Sequence, residues 1–355
     1  MIFGPNHYVP ILKVKQGEKA ALRAIAATTR AMVTPLLEIV ERKPEDHPTT
    51  AAHLENAFKG LAEAVRPYSR SFLDVHEMEN DGPSAAADAF AKAYAEGMVF
   101  TPVTGITRTV DVVAALSHAH DGIAIRLIRA EFEAGGIGDL LTSFLSKRGL
   151  ALPQVDLIVD LGAVDDLVLD GMLRLATLFL ADVPSHALWR TLTVTASAFP
   201  MSMGVVAMSS HAFIERTEWK AWRDGLYANR RQLVRLPTFG DCAIQHPAGV
   251  EGFDPRIMPV SASVRYALPE EWLIIKGQST RAVPAREQFP ELADQLVNGT
   301  LKRYFAGSAH CMGCSAMAHA ADGVPGFGSP AVWRRLGTAH HITQSAEALA
   351  ALTWP

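Results

Sequence analysis

The chain has 355 residues, 49% of them hydrophobic and 20% charged, a balance that excludes a disordered protein and fits a globular one with a large core. Its formal charge of −4 excludes a whole-protein field that draws in nucleic acid or anionic lipid, while leaving room for a local basic cleft. Three cysteines are too few for a disulfide framework. With no apolar run of about 18–20 residues and no secretory start, a cytoplasmic protein without a membrane partner is expected.

Taken in chain order, the apolar runs and their punctuation alternate strand with helix. "YVPILK" predicts a strand at 9–13 ending on Lys13, with Lys15 just beyond, followed by a helix over 17–32. "TPLLEIV" (35–40) ends near Glu38 and precedes a helix over 50–67; "SFLDV" (71–75) ends near Asp74 and precedes a helix over 84–97. A strand at 99–104 leads to a helix over 109–120, and "GIAIRLIR" gives a strand at 122–127 ending near Arg126. "VDLIVDLG" gives 155–161 with Asp160 before a glycine, followed by a helix over 164–182. Strands at 190–196 and 235–241, the last ending on Asp241, complete a set of eight.

Eight strands with helical crossovers predict an α/β protein of the (β/α)8 TIM-like barrel class over 1–245. A doubly wound open sheet is the rival, disfavoured by the strand count and by the lack of a G-x-G-x-x-G turn after the first strand. From 246 the grammar changes. Two β-like pieces at 261–268 and 271–278, carrying Arg265 and Lys276, are followed by a helix over 289–303, "GSAHCMGC" and "AHHITQ". This predicts a C-terminal α+β extension, 246–355, packed on the barrel and completing or covering its mouth.

In such a barrel all strand exits share one rim, where barrel enzymes keep their sites. The runs that end in ionisable residues therefore predict one mouth shared by Lys13, Glu38, Asp74, Arg126, Asp160 and Asp241; the bland alternative is that each is a solvated residue or a helix cap. Arg126, Lys13 and Lys15, with Arg265 and Lys276, are read as binders of an anion, and Asp241 as a further ligand-binding residue. Asp160, Asp74 and Glu38 are read as bases or metal ligands, and His340 or His341 as an acid or ligand. Lys13 as a Schiff-base nucleophile is a further option. His310, Cys311 and Cys314 form a zinc-like element lacking a fourth ligand, for which Cys242 or His319 are the options. No P-loop, G-x-S-x-G or H-E-x-x-H motif occurs.

The ordered set "YVPILKVKQGEKAAL", "TPLLEI", "FLDV", "GIAIRLIR", "VDLIVDLG", "WRTLTVTASAFP" and a final "W…G…HHIT" resembles the beta protein family of phages and bacteria, nearly end to end. The resemblance implies no particular chemistry. It places Lys13, Glu38, Asp74, Arg126, Asp160, Ser197 to Pro200, Arg265, His340 and His341 at the family's recurring motifs. The chain departs from that pattern in having Cys242 after the aspartate, where an aromatic is expected, and in carrying the C-x-x-C.

The leading expectation is a hydrolase or lyase, phosphodiesterase-like, that acts on a small anionic or nucleotide-like substrate at the barrel mouth and uses a divalent metal ion or acid/base residues. The alternative is a non-catalytic phage- or antiviral-defence-related barrel that binds a protein or nucleic-acid partner through Trp333, Arg334 and Arg335. A third reading makes Glu38 and Asp160 a glycosidase pair.

Overall fold

The computed structural model describes residues 3–4, 6–249 and 261–353. Eight parallel strands close into a barrel in the order β1 (Tyr8–Lys13), β2 (Leu36–Glu38), β3 (Ser71–Asp74), β4 (Phe100–Thr104), β5 (Ile123–Ile128), β6 (Val155–Ala163), β7 (Thr191–Ser197) and β9 (Thr238–Asp241). The alternation along β6 shows why the run is both apolar and charged. Val155, Leu157, Val159 and Leu161 face the surrounding helices, while Ile158 belongs to the barrel interior with Val9, Ile11, Leu36, Phe72, Val103, Ala124 and Cys242. Asp156 and Asp160 share the parity of Ile158 and lie below and above that apolar layer.

All eight expected strands are present. The helix expected over 50–67 is broken at Gly60, which has φ +69°, a conformation that favours glycine. One strand escaped the sequence reading. β8 (Ser210–Glu215) leaves the barrel path between β7 and β9 and pairs antiparallel with β11 (Glu271–Ser279), which pairs with β10 (Ser261–Ala267). Its run "SHAFIE" is exposed at Ser210, His211 and Glu215 and half-buried between them, so it lacks the apolar signature that marks a core strand.

This accessory sheet packs with the helices Ala285–Val297 and Met312–Ala321 around a second core that includes Val264, Leu273, Phe289, Met317 and Trp333. The long helix Pro330–Ala350 starts on a Ser329 cap with proline at its first position, both favourable there. It packs against the first outer helix, Gln16–Ala24, and against β1 and β10, so the end of the chain closes the ring of outer helices. Gly337 permits the approach: a Cβ there would lie 2.8 Å from the Arg265 carbonyl oxygen. Among the described residues, no helix is long and apolar enough to cross a membrane.

Candidate functional site

Lys13, Glu38 and Asp74 end β1, β2 and β3 and stand in register across those strands. Arg126 on β5 rises between them and Asp160 on β6. Its Nε and Nη2 donate to Asp160 Oδ2 at 2.8 and 2.6 Å, and its Nη1 donates to Glu38 Oε1 at 2.7 Å and Asp74 Oδ2 at 2.9 Å. Every guanidinium nitrogen is thus engaged by carboxylate. Arg108, from the loop after β4, makes a two-pronged contact with Asp74 at 2.7 and 3.1 Å and reaches Asp111 at 3.3 Å. Asp160 Oδ1 accepts from Thr195 and from the amide of Gly162. Lys13 contacts Glu77 and stands 3.8 Å from Glu38.

The carboxyls are shifted in opposite directions. Burial alone raises the Asp74 pKa, yet Arg108 and Arg126 overcome it and hold the group well below the usual carboxylate range. At Glu38 burial wins over Arg126 and Lys13, and the pKa is raised. Burial works against the Lys13 ammonium, but Glu38 and Glu77 outweigh it and raise its pKa, the opposite of the depressed pKa that Schiff-base chemistry needs. Burial, reinforced by Asp160 and Glu38, pushes the Cys242 thiol far up, so it is no thiolate nucleophile.

Beside this network lies an open cleft of about 1350 Å³, framed by the loops after β1, β2, β3 and β9. Lys13, Lys15, Lys19 and Arg23 line one side, with His47, His53, His76 and Glu77 also at its surface. Lys15 is exposed, and packing around it, with Arg334 and Lys13 near, lowers its pKa. Arg265 is likewise lowered, by burial and then by Arg334. Among the residues that line the cleft, the cations Lys13, Lys15, Lys19, Arg23, Lys43 and Lys59 outnumber the carboxylates Glu41, Asp46, Glu77 and Glu79.

The family model described as Beta protein matches residues 8–347. The chain belongs to the Beta protein family. None of the curated proteins is similar enough to match. Among solved structures, the mandelate racemase/muconate lactonizing protein from Herpetosiphon aurantiacus is similar with a TM-score of 0.32 and 12% identity, over 76% of this chain and 63% of that one. The chain thus spans less than two thirds of that protein's length.

In this Beta protein several residues expected at the mouth lie elsewhere. Asp241 has the outward parity of Phe239, and it is the next residue, Cys242, that faces the interior. Asp241 accepts from Tyr8 and, at Oδ2, from Arg216 at 3.3 Å, and pairs with His341 Nε2 at 2.9 Å. Arg216 also donates to Ser345 at 2.9 Å. This wholly buried latch fastens β1 and β9 to the C-terminal helix, and it takes His341 away from the mouth. Burial lowers the His341 pKa, which suits a neutral structural imidazole.

His340 points elsewhere again, because adjacent residues on a helix are about 100° apart: it faces Cys311 and Cys314. Lys276 donates to the carbonyls of Met203 and Val206, each at 2.7 Å, and so ties down a loop. Arg265 donates to the Ile244 carbonyl at 2.8 Å and lies over Phe199. Trp333 is buried against Phe289, ring centroids 4.9 Å apart, which removes it as a surface contact. Arg126 fills the space between Glu38 and Asp160, so those two do not flank an open sugar site. The sequence reading missed Arg108, Asp111 and Glu77, which sit on loops after the strands and carry no periodic signal.

Proposed function

We propose that this Beta protein is an acid/base enzyme of the hydrolase or lyase type that binds an anionic, phosphate-bearing substrate in the cleft beside Lys13. The observation that carries the reading is the meeting, at Lys13, of a buried charge network with an open cleft whose near side is cationic. Lys13 and Lys15 are the anion-binding groups. Glu38, raised by burial, exchanges the proton, and Asp74, held ionised, is the fixed counter-charge; carboxyls driven apart by their surroundings divide such roles. Arg126, saturated by carboxylates, positions Glu38 and Asp160 and does not itself take the anion. The cleft exceeds the roughly 300–1,000 Å³ of a typical small-ligand pocket, which supports an extended ligand such as a nucleotide or dinucleotide.

Calorimetric titration with pyrophosphate and with nucleoside diphosphates tests binding. Micromolar to millimolar affinity that falls about tenfold in Lys13→Met, equivalent to about 1.4 kcal/mol, is the expected result. A phosphodiesterase and phosphatase substrate panel then tests the chemistry, with Glu38→Gln expected to bind pyrophosphate and turn nothing over. Absence of phosphate-ligand binding in the folded wild-type protein overturns the reading.

A further inference from the structure

The loop before helix Met312–Ala321, the first turn of that helix and the middle of helix Pro330–Ala350 bring together a second group of side chains, on the accessory lobe and apart from the barrel mouth. Among the described residues, one ligand atom each from His310, Cys311, Cys314 and His340 lies within 4.8 Å of all the others. His340 Nδ1 is 3.3 Å from Cys314 Sγ and 3.7 Å from Cys311 Sγ, and His310 Nδ1 is 3.7 Å from Cys314 Sγ. In a tetrahedron with zinc–sulfur bonds of about 2.3 Å and zinc–nitrogen bonds of about 2.05 Å, a sulfur–nitrogen edge measures about 3.6 Å. The four atoms are therefore already spaced for a single ion.

We propose that His310 and His340, through Nδ1, and Cys311 and Cys314, through Sγ, bind one zinc ion as a closed structural site.

What surrounds the four ligands supports this independently of their spacing. Both imidazoles direct Nδ1 inward and use Nε2 outward: His340 Nε2 is 2.8 Å from the Ala267 carbonyl oxygen, and His310 Nε2 is 2.8 Å from Glu347 Oε2. Acceptors on both outer nitrogens fix the proton there and leave the inner lone pairs for a metal, the arrangement in which zinc histidines are held. Tyr266 Oη accepts from the Ala306 amide at 2.9 Å, which leaves its own proton for Cys314 Sγ at 3.4 Å. The Cys314 amide donates to Cys311 Sγ at 3.3 Å, a further donor for a thiolate. Gly313, between the cysteines, lets the two helices touch: a Cβ there would lie 2.5 Å from the Leu336 carbonyl oxygen.

The ligand chemistry selects the ion. Two thiolates with two imidazoles in a tetrahedron suit zinc. Zinc binding releases the two thiol protons to solvent and leaves a site of zero net charge, which can be buried without an isolated ion. Cys314 and His340 are fully buried, and with all four positions filled by protein the site has no opening for substrate. The fourth ligand is His340, in place of the two options the sequence offered. Cys242 lies inside the barrel, and His319, five residues beyond Cys314 on its helix, is exposed on another face. The ion would fasten the loop at 307–311 and helix Met312–Ala321 to helix Pro330–Ala350 and β10.

Metal analysis by mass spectrometry on the untagged full chain, purified without chelator, tests this. About one zinc per chain is expected in the wild type and in Cys242→Ser, with loss of more than nine tenths of it in Cys311→Ser and His340→Gln. A thiol-blocking mercurial should release the wild-type zinc; once excess dithiothreitol has stripped the mercurial from the cysteines and the zinc and thiol have been removed, cobalt(II) should give the visible bands and the sulfur charge-transfer band of a tetrahedral dithiolate site. A wild-type chain that lacks zinc and takes up no cobalt, or one whose Cys311 and Cys314 are joined as a disulfide, overturns the proposal. These wild-type measurements decide it even where a variant fails to fold, and neither depends on phosphate binding at the mouth.

Discussion

The two ends of the barrel carry the same chemistry with the signs exchanged. At the floor Asp156, fully buried, receives Arg70 at 3.0 and 3.2 Å, Thr191 at 2.6 Å and Arg190: one anion between two cations, with Arg70 also over the rings of Phe3 and Phe72. At the mouth Arg126 is held by three carboxylates, of which Asp74 also binds Arg108 and Glu38 also faces Lys13. Both clusters satisfy their charges, and both replace water inside a closed barrel with hydrogen-bonded partners. The difference is in what adjoins them. At the floor Phe3 lies against Arg70 and stacks on His7, whereas the mouth passes through Lys13 into a large cleft. A charged residue in a barrel strand therefore says little about function by itself; contact with open space is what distinguishes the mouth.

Breaking each cluster in turn gives the largest expected effect. Removal of one partner from a buried ion group costs about 3–5 kcal/mol, so Arg126→Met and Asp156→Asn should both show such a loss by urea unfolding at pH 7. Acid then separates them. In the wild type the depressed Asp74 contributes stability that is present above its unfolded pKa and lost as pH falls through the folded value. Arg126→Met leaves carboxylates that gain by protonation, so its deficit relative to wild type should shrink between pH 7 and pH 4. Asp156→Asn leaves two arginines, which do not titrate there, and its deficit should not shrink. Parallel deficits in the two variants across that range would contradict the assignment of opposite polarity.

A third buried charge sharpens the contrast because it is poorly compensated. Glu218, by the latch outside the barrel, has Arg216 Nε at 3.6 Å and no side-chain hydrogen bond to either oxygen. Burial, only partly offset by Arg216, raises its pKa to about 8. A raised carboxyl retains its proton in the folded state while the unfolded chain has lost it, so stability falls as pH rises from about 4.5 to about 8. Glu218→Gln should remove that slope and stabilise the protein at pH 8.5 by about 1–3 kcal/mol, with little change at pH 5. Denaturant midpoints at the two pH values are the measurement, and an equal effect at both would show that Glu218 is ionised throughout.

How far the sequence disclosed these regions follows from periodicity. The barrel strands are legible because both faces are buried, which makes each run apolar, and because a charge in the inward parity at Lys13, Arg126 or Asp160 then stands out. Asp241 misled for the same reason: it ends a strand like the others, but Gly240 in β9 and Cys242 just after it face inward, so parity and not position at the exit is the informative signal. The floor went unnoticed since Asp156 sits at the start of its run and Arg70 before its own. His340 as partner to Cys311 and Cys314 was out of reach, because the pairing spans 26 residues or more and depends on how two helices cross at Gly313. Adjacent histidines in a sequence invite a shared role, and only the helix separates them.

The smallest expected effect belongs to Lys15. It is exposed and lines the cleft next to Lys13, so Lys15→Ala should leave stability within about 0.5 kcal/mol of wild type. Pyrophosphate affinity in the same variant should fall about threefold to fivefold at low ionic strength, and that difference should fade as salt is raised, as expected of an exposed charge within a Debye length of its ligand. Lys13 is held between Glu38 and Glu77, and its contribution should persist in salt because a buried pair is screened less. If the two lysines show the same salt dependence, the ligand meets both in open solvent, and the buried network behind Lys13 has no more part in binding than the floor has.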